Sequence, residues 1–564
     1  MLKSHVEAIV RVYDALFEDI KYAVPQLKVD LERDLETLRR AARSRGIPTF
    51  VVDLPLIGKH LDRCLAEEKL TPSDLPLMGR SKGEQAPKFL GGLYKLIFRD
   101  DGCLKDDYSA EAIIFLRQIL YLCKKLPLSF SETALRASVR KLVEEDTVLP
   151  KPERFWSEDA PASCMAKLTY TGFNRSRWYH QKVVVQGSQE SVPIVLAMLD
   201  RVSSEVCSAL GLYRPAAWNF RHGPGAISQR SGPSNKYAWY GWSDRLESVF
   251  PVADYGFHNL SSWAGSTFSL GSSDNYTPFS RLVAVPKTYE KPRLIAAEPS
   301  EHQWCQQNIW RYLRTRTTLT WLSDFCRFGD QGLNQSLCRE GSRHGNLCTV
   351  DLSSASDRVS CHVVGQFFRA NLDLLDALRA SRTHLLKQSL DKDLPEYVEL
   401  NKFSTMGSAC TFPVENLIFL GVALATVLVT RGVSPTLKKD DFLKELKKLE
   451  GEVAVFGDDI IVPTDCRNLL EETLNVLDFK VNAEKTFSKG FFRESCGIDA
   501  YRGVDVTPIY LHALTADNPE STCSLVDTAN NFYLLFYLQV ARHIESTLLP
   551  SSLMTVHVDS GIFG

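Results

Sequence analysis

This 564-residue chain has no surplus of positive charge: 66 Lys and Arg stand against 68 Asp and Glu, a net charge of −2. No global basic field advertises nucleic-acid binding, so any such surface must be local. Its 14 cysteines form no C-x-x-C pair and are scattered. That usage fits buried thiols in a reducing compartment better than a disulfide frame or a zinc ribbon. Cys338, His344, Cys348 and Cys361 lie fairly near one another but match no zinc spacing. The first residues, MLKSHVEAIVRVYDALFEDI, carry charges throughout and have no unbroken apolar core, which excludes a signal peptide. The longest apolar run, Leu417 to Val429, is too short for a spanning helix and suits a buried core helix. A soluble product that does not enter membranes is expected. Internal repeats and low-complexity segments are lacking too.

What is present is ordinary globular material, 44% hydrophobic and 24% charged. The length allows several cores or one multi-lobed core. Residues 1 to about 150 read as mostly helical, with apolar residues at three- and four-residue spacing in Leu31–Arg45 and Ala110–Lys125. From about 150 to 280 aromatics, Ser and Gly become frequent and the section reads as loop-rich. There Arg214, Arg221, His222, Arg230 and Lys236 alternate with Trp218, Phe220, Tyr237, Trp239 and Tyr240. Such a set can stack bases and pair phosphates. An irregular packed subdomain with core aromatics fits it equally well.

The most informative stretch is Val453 to Val462, VAVFGDDIIV. Apolar residues flank Gly457, Asp458 and Asp459, which predicts two short buried strands joined by a tight turn. Asp is poor strand material. Two acids at a rigid tip suit a hard cation, and a third converging carboxylate would allow a two-metal site. A solvated Asp-Asp turn is the plain alternative. Upstream, LCTVDLSSASDRVS predicts a strand ending on Asp351, with Asp357 near a helix start where an N-cap is the plain role. RLVAVPKTYEKPRLIAAEP predicts a hairpin from which Lys287, Lys291 and Arg293 project, cations able to hold a triphosphate, with a charged surface hairpin the plain alternative. Gly407 and Ser408 form a small, close-approach loop ahead of the buried helix. Pro435–Glu452 reads as an amphipathic helix with Phe442, Leu446 and Leu449 on one face. The segment after the GDD hairpin predicts a helix end, a turn and a strand, carrying Lys485 and Arg493.

In this order the segments resemble the motifs of viral RNA-dependent RNA polymerases, and more specifically the replicase subunit of the positive-strand RNA phages, the leviviruses. VPKTYEKPR is similar to the basic fingers motif, TVDLSSASD to the first palm motif and STMGSACTFPVEN to the second. VFGDDIIV is similar to the third, and DFKVNAEKTFSKG with FFRESCG to the last two; RHGPGA, Arg221 to Ala226, resembles an upstream element. The resemblance covers roughly 215 to 510. Glu415 stands where many viral polymerases have Asn, a choice the phage group shares.

The resemblance implies an α+β right-hand polymerase with an antiparallel palm sheet backed by helices. Its divisions would be a helical N-terminal region at 1–150, fingers at 151–345 with a basic NTP-entry hairpin at 281–295, and a palm at 346–490. A fingers insertion would lie around 362–400. Residues 491–564 would end the palm and begin a thumb that is either truncated here or shorter than is usual for the group. The implied reaction is nucleotidyl transfer from NTPs. Asp351, Asp458 and Asp459 would hold two Mg²⁺, with Mn²⁺ as a substitute. Lys287, Lys291 and Arg293 would neutralise the triphosphate, and Lys485 would act as a general acid toward pyrophosphate. Asp357 would meet the ribose 2′-hydroxyl, assisted by Ser408 and Thr411. Implied partners are RNA template and product and NTPs, with host elongation factors Tu and Ts and a ribosomal protein, in the bacterial cytoplasm. Another palm enzyme such as a reverse transcriptase, and an inactive RNA-binding relic, are the competing readings.

Overall fold

The computed structural model of the chain describes residues 2–549 apart from 157–177, 179–190, 230–235, 238, 267–275, 288 and 290. Its elements are α-helices and short strands, a mixed α and β architecture. The N-terminal part is helical, as its spacing predicts: Leu2–Ala23, Lys28–Arg45, Leu54–Glu67, Ala110–Tyr121 and Glu132–Thr147. On Lys28–Arg45, Leu31, Leu35, Leu38 and Ala42 form one buried stripe. Ser109 and Ser131 start the two later helices by accepting the N–H of Ala112 and Ala134.

This helical layer shares its core with the far end of the chain. Phe487, Phe492 and Tyr501 pack into it, with Leu525, Phe532, Val540 and Ile544 from the helices Pro519–Leu534 and Leu538–Glu545. Two further ties are polar. Asp19 accepts the N–H groups of Gln539 and Val540, placing an anion at a helix N-terminus. The buried Arg117 guanidinium pairs with Asp62 and Asp499 and donates to the Val506 carbonyl at 2.9 Å.

The strands, in chain order, are β1 (Phe279–Val285), β2 (Arg293–Ala297), β3 (Leu347–Asp351), β4 (Leu385–Lys387), β5 (Tyr397–Glu399), β6 (Ala454–Phe456), β7 (Asp459–Pro463), β8 (Phe492–Ser495), β9 (Ile498–Tyr501) and β10 (Val504–Asp505). They form sheets of order β2-β1-β4-β5, β3-β7-β6 and β10-β9-β8. The β3-β7-β6 sheet is antiparallel throughout. Period-two alternation splits its side chains between two cores. Cys348, Val350, Val455, Ile460 and Val462 join the large core around the Thr411–Thr430 helix. Leu347, Ala454 and Ile461 face Leu337 and Cys338 of the Gly332–His344 helix. Both faces are covered, which is why these strands read as near-continuous apolar runs.

Three sequence expectations need correcting. The section from 150 to 280 is not loops alone. Ser191–Leu210 is a 20-residue helix, with Val192, Val195, Leu199, Val202 and Val206 buried against the central core. The Leu417–Val429 run belongs to a longer helix, Thr411–Thr430, that is long and apolar enough by composition to cross a membrane. Its first turn tolerates Pro413, because the N–H groups there have no intrahelical partner. Its burial, rather than its length, makes it a core helix: most of it lies inside the protein. The helix expected over Pro435–Glu452 runs only from Lys439 to Lys447. A Ser434–Thr436 turn occupies its predicted start, and Gly451 takes φ +79° beyond its end. Phe442, Leu446 and Leu449 are buried as the amphipathic pattern requires.

Candidate active site

Local sequence makes the tip and the sheet makes the pairing. Phe456 and Asp459 are the last paired residues of β6 and β7, so Gly457 and Asp458 alone form the turn. Gly457 has φ +61°, the left-handed value that the first position of a two-residue II′ hairpin requires. A Cβ there would lie 3.2 Å from the Phe412 ring and 3.7 Å from a Glu415 carboxyl oxygen. The start of the Thr411–Thr430 helix therefore sits on the turn. Across the sheet, Asp351 pairs directly with Asp459. Residues opposite each other project to the same face, so two carboxylates stand side by side with Asp458 at the adjoining turn.

Asp351 and Asp459 are held separately. Asp351 accepts from Asn482 Nδ2 at 2.7 Å and from Lys485 Nζ at 3.4 Å, and its backbone carbonyl accepts the Asn482 N–H at 2.8 Å. Asp459 accepts the Cys496 N–H at 3.2 Å. Lys485 also lies 3.7 Å from Glu494. Among the described residues, no three Asp, Glu, His or Cys side chains gather closely enough to hold one ion. The three carboxylates are thus neighbours that share a field without forming a ligand cage.

That field is strong. Burial pushes the Asp459 carboxyl up to about 7, with the Asp458 and Asp351 charges adding to the shift. Burial also raises Asp351, opposed by Lys485 and reinforced by Asp458. Glu415 lies well above the ordinary range, through burial first and then Asp458 and Asp357. Its Oε2 is buried without a hydrogen-bond partner. The Lys485 ammonium is raised, as Glu494, Asp351 and Asp459 outweigh its burial.

The basic hairpin forms as predicted, β1 against β2 in antiparallel register from Arg281↔Ala297 to Val285↔Arg293. Lys287 is lowered by burial, by Arg293 and by Lys485, and pulled back by Asp458 and Asp351. Lys287 and Arg293 therefore belong to the same electrostatic neighbourhood as the acids. Lys291 follows Lys287 in the turn, just before β2, and Tyr289 between them packs on the N-terminal core.

The remaining predicted residues divide. Asp357 is not an N-cap: it sits in a short 3₁₀ turn, and Ser360 caps the helix that follows by accepting the Val363 N–H. Asp357 is paired instead with Lys402, 2.9 Å away. Thr411 turns inward, donating to the Thr405 carbonyl at 2.7 Å. Ser408 accepts the Cys410 N–H at 3.2 Å. Gly407 makes the close approach expected of it: a Cβ there would lie 2.0 Å from the Ala296 carbonyl oxygen of β2.

Sequence reasoning missed Asn482 and Lys402. A polar residue closing a short β-type run, Lys480 to Asn482, was the available signal for the first; Val481 bridges Leu352 beside Asp351. Upstream, Trp218, Phe220 and Trp239 pack against the core while Tyr237 and Tyr240 stay exposed. Lys236 is spent on the carbonyls of Gly223 and Pro224. Arg230 lies outside the described residues.

Residues 264–525 match the family model of the RNA replicase beta-chain. This segment, a little under half of the chain, is similar to that family. Every acid and hairpin residue above falls inside it. The chain is 36% identical over 272 residues to the RNA-directed RNA polymerase subunit beta of Escherichia virus Qbeta, covering 48% of this chain and 41% of that one. It is 34% identical over 231 residues to the beta chain of Enterobacteria phage fr, covering 41% and 37%. The Escherichia phage MS2 beta chain is 33% identical over 231 residues, again 41% and 37%. These matches span about two fifths of each relative's length. Among solved structures, the BmCPV RNA-dependent RNA polymerase at elongation state aligns with TM-score 0.40 and 11% identity, over 64% of this chain and 33% of that one. So loose an overlay transfers no residue.

Proposed function

We propose that this protein is an RNA-directed RNA polymerase that copies a positive-strand RNA phage genome by nucleotidyl transfer. One observation carries the reading: Asp351 and Asp459 stand opposite each other in β3 and β7 beside Asp458, within the replicase-family segment and in the field of Lys287 and Arg293. In this reading the β3-β7-β6 sheet and the Thr411–Thr430 helix are the palm, and the β1–β2 hairpin belongs to the fingers.

The acids fit divalent cations by their chemistry. Hard carboxylate oxygens stand as neighbours, and burial first, then the charges of Asp458 and Asp351, raise Asp459. Asp351, Asp458 and Asp459 would hold the ions, Mg²⁺ or Mn²⁺. Bound there, they supply charge for the phosphate oxygens and make the attacking hydroxyl more acidic.

The chain's own residues do the rest. Lys287, Lys291 and Arg293 bind the triphosphate and orient its α-phosphate toward the RNA 3′-hydroxyl, so positioning supplies much of the rate. Lys485 now serves as the counter-ion of Asp351. Glu494, Asp351 and Asp459 outweigh its burial, raise its pKa and keep it charged at neutral pH, so it becomes a proton donor to the departing pyrophosphate only on leaving those carboxylates. The Asn482 hydrogen bond holds the Asp351 carboxylate in place when Lys485 moves. Asp357 accepts from the ribose 2′-hydroxyl, the group that separates RNA precursors from DNA precursors. RNA template, RNA product and NTPs are the partners of this reaction. Association with host elongation factors Tu and Ts and a ribosomal protein in the bacterial cytoplasm is part of the same proposal, checked by co-purification from an infected host.

The test is primer extension by the full chain. Asp458→Ala abolishes incorporation of NTPs while RNA binding persists. Undiminished incorporation by that variant would refute the assignment of the acids, and a preference for dNTPs would refute the reaction.

A further inference from the structure

The C-terminal end of the Glu132–Thr147 helix reaches the segment that carries Asp357, and the reaction as proposed gives it no part. Asp146 is buried. Its two carboxylate oxygens accept the backbone N–H groups of Asn401 at 2.8 Å and Lys402 at 2.9 Å. Its carbonyl accepts Asn401 Nδ2 at 3.1 Å. The preceding residue, Glu145, pairs with the guanidinium of Arg358, next to Asp357. One helix end thus grips the chain on both sides of the Asp357–Lys402 contact.

Lys402 has no exposed surface, and its ammonium donates to Asp357 Oδ1 at 2.9 Å. Its backbone is fixed as well, by a bridge from Ser360 to Lys402 and a bond from the Phe403 N–H to the Val359 carbonyl at 2.8 Å. A buried ammonium is expensive, and an apolar side chain of equal length would pack there at less cost. What the charge adds is a fixed carboxylate. The Asp357 side chain is still 25% exposed, and its charge, like that of Asp458, reaches the buried carboxyl of Glu415. A Cβ on Gly457 would lie 3.7 Å from Glu415 Oε1, so this carboxyl adjoins the turn that carries Asp458, and Asp357 lies near enough for its charge to add to the rise of Glu415. An acceptor discriminates for a hydroxyl only when it is held in place before the ligand arrives.

We propose that Lys402, anchored by Asp146, is the positioning residue that aims the Asp357 carboxylate at the sugar of the incoming nucleotide. The N-terminal helical region would thereby set the preference for ribo- over deoxyribonucleotides. This rests on the polymerase reading above.

The experiment measures kcat/KM for ATP and for dATP on a primed RNA template with the full chain. Lys402→Met lowers the ATP:dATP ratio about tenfold, the worth of one well-placed hydrogen bond to a charged group. The loss falls on the KM for ATP, and dATP kinetics barely change. Lys402→Arg restores part of the ratio. Asp146→Asn, whose amide oxygen keeps one of the two backbone bonds, lowers the ratio by a smaller factor in the same direction. A ratio unchanged in Lys402→Met, or equal losses for both nucleotides, overturns the inference. If Lys402→Met fails to fold, Asp146→Asn decides: an unchanged ratio there overturns it. Failure of the wild-type chain to incorporate ATP would instead overturn the polymerase reading, and this inference with it.

Discussion

Replacing Gly407 by Ala tests how tightly the loop before the Thr411–Thr430 helix is locked to the basic hairpin. The Ala296 N–H donates to the Met406 carbonyl at 2.8 Å, so the loop extends the β2 edge. At the next residue the backbone takes φ +136°, and a Cβ would lie 2.0 Å from the Ala296 oxygen and 2.9 Å from its carbonyl carbon. The obstacle is backbone held in a sheet, so it cannot swing away as a side chain would. Unfavourable φ costs about 1–3 kcal/mol. Forcing a methyl against packed backbone adds about 1–3 kcal/mol. The sum is about 2–6 kcal/mol. Gly451→Ala is the control: its φ is +79°, but nothing lies within 4 Å, so only the backbone term of about 1–2 kcal/mol applies. Urea denaturation with the slope checked for constancy separates the two. Gly407→Ala is expected to be less stable than Gly451→Ala by about 2 kcal/mol or more, near the middle of the overpacking range. Primer extension by Gly407→Ala should also fall at temperatures where it stays folded, because the loop must leave β2. Equal stabilities within about 0.5 kcal/mol, the usual scatter of surface substitutions, would refute the reasoning.

The other predictions concern charges. Arg117→Met leaves the buried Asp62 and Asp499 carboxylates without their counter-ion and should cost about 3–5 kcal/mol, read by the same denaturation; a loss under about 1 kcal/mol would show that the triad is solvated. Asp459 has a folded-state pKa raised to about 7 from 3.8, so the folded chain binds more protons than the unfolded one between those values. Its contribution is therefore fully present below about pH 4 and is lost as the pH rises through about 7. In EDTA, thermal midpoints across that window should fall less steeply for Asp459→Asn than for wild type, and parallel slopes would count against the shift. Mg²⁺ offsets the cost of holding these carboxylates ionised, burial first and mutual repulsion second, so it should raise the wild-type midpoint more at pH 8 than at pH 5. Asp458→Asn should lose most of that gain; a gain kept in full would remove Asp458 from the cation site.

Much of this architecture is legible locally. Alternating or continuous apolar runs bounded by Gly and Asp mark β3, β6 and β7, because strand burial is written in period two and a two-residue turn needs a residue tolerant of positive φ. The buried stripe on Lys28–Arg45 and the paired runs around Lys287 and Arg293 are legible for the same reason. The Ser191–Leu210 helix was hidden because aromatic and Gly-rich neighbours dominate the texture around it. The short Lys439–Lys447 helix was overextended because amphipathic spacing does not report where a turn interrupts it.

The candidate site divides along the same line. Sequence alone determined which acids exist, that Asp351 ends a strand and that Asp458 sits on a turn; the expectation that Asp459 shares that turn fails, because pairing with Phe456 and Asp351 makes it the first residue of β7. Only the tertiary structure decided that Asp351 stands opposite Asp459, that Lys485 and Asn482 hold Asp351, and that Asp357 faces a buried Lys402 gripped by Asp146. The physical reason is range. Backbone period and turn chemistry act over a few neighbouring residues and leave a pattern there. A charge pair depends on distance and burial after the chain has closed on itself, and composition near either partner does not encode that.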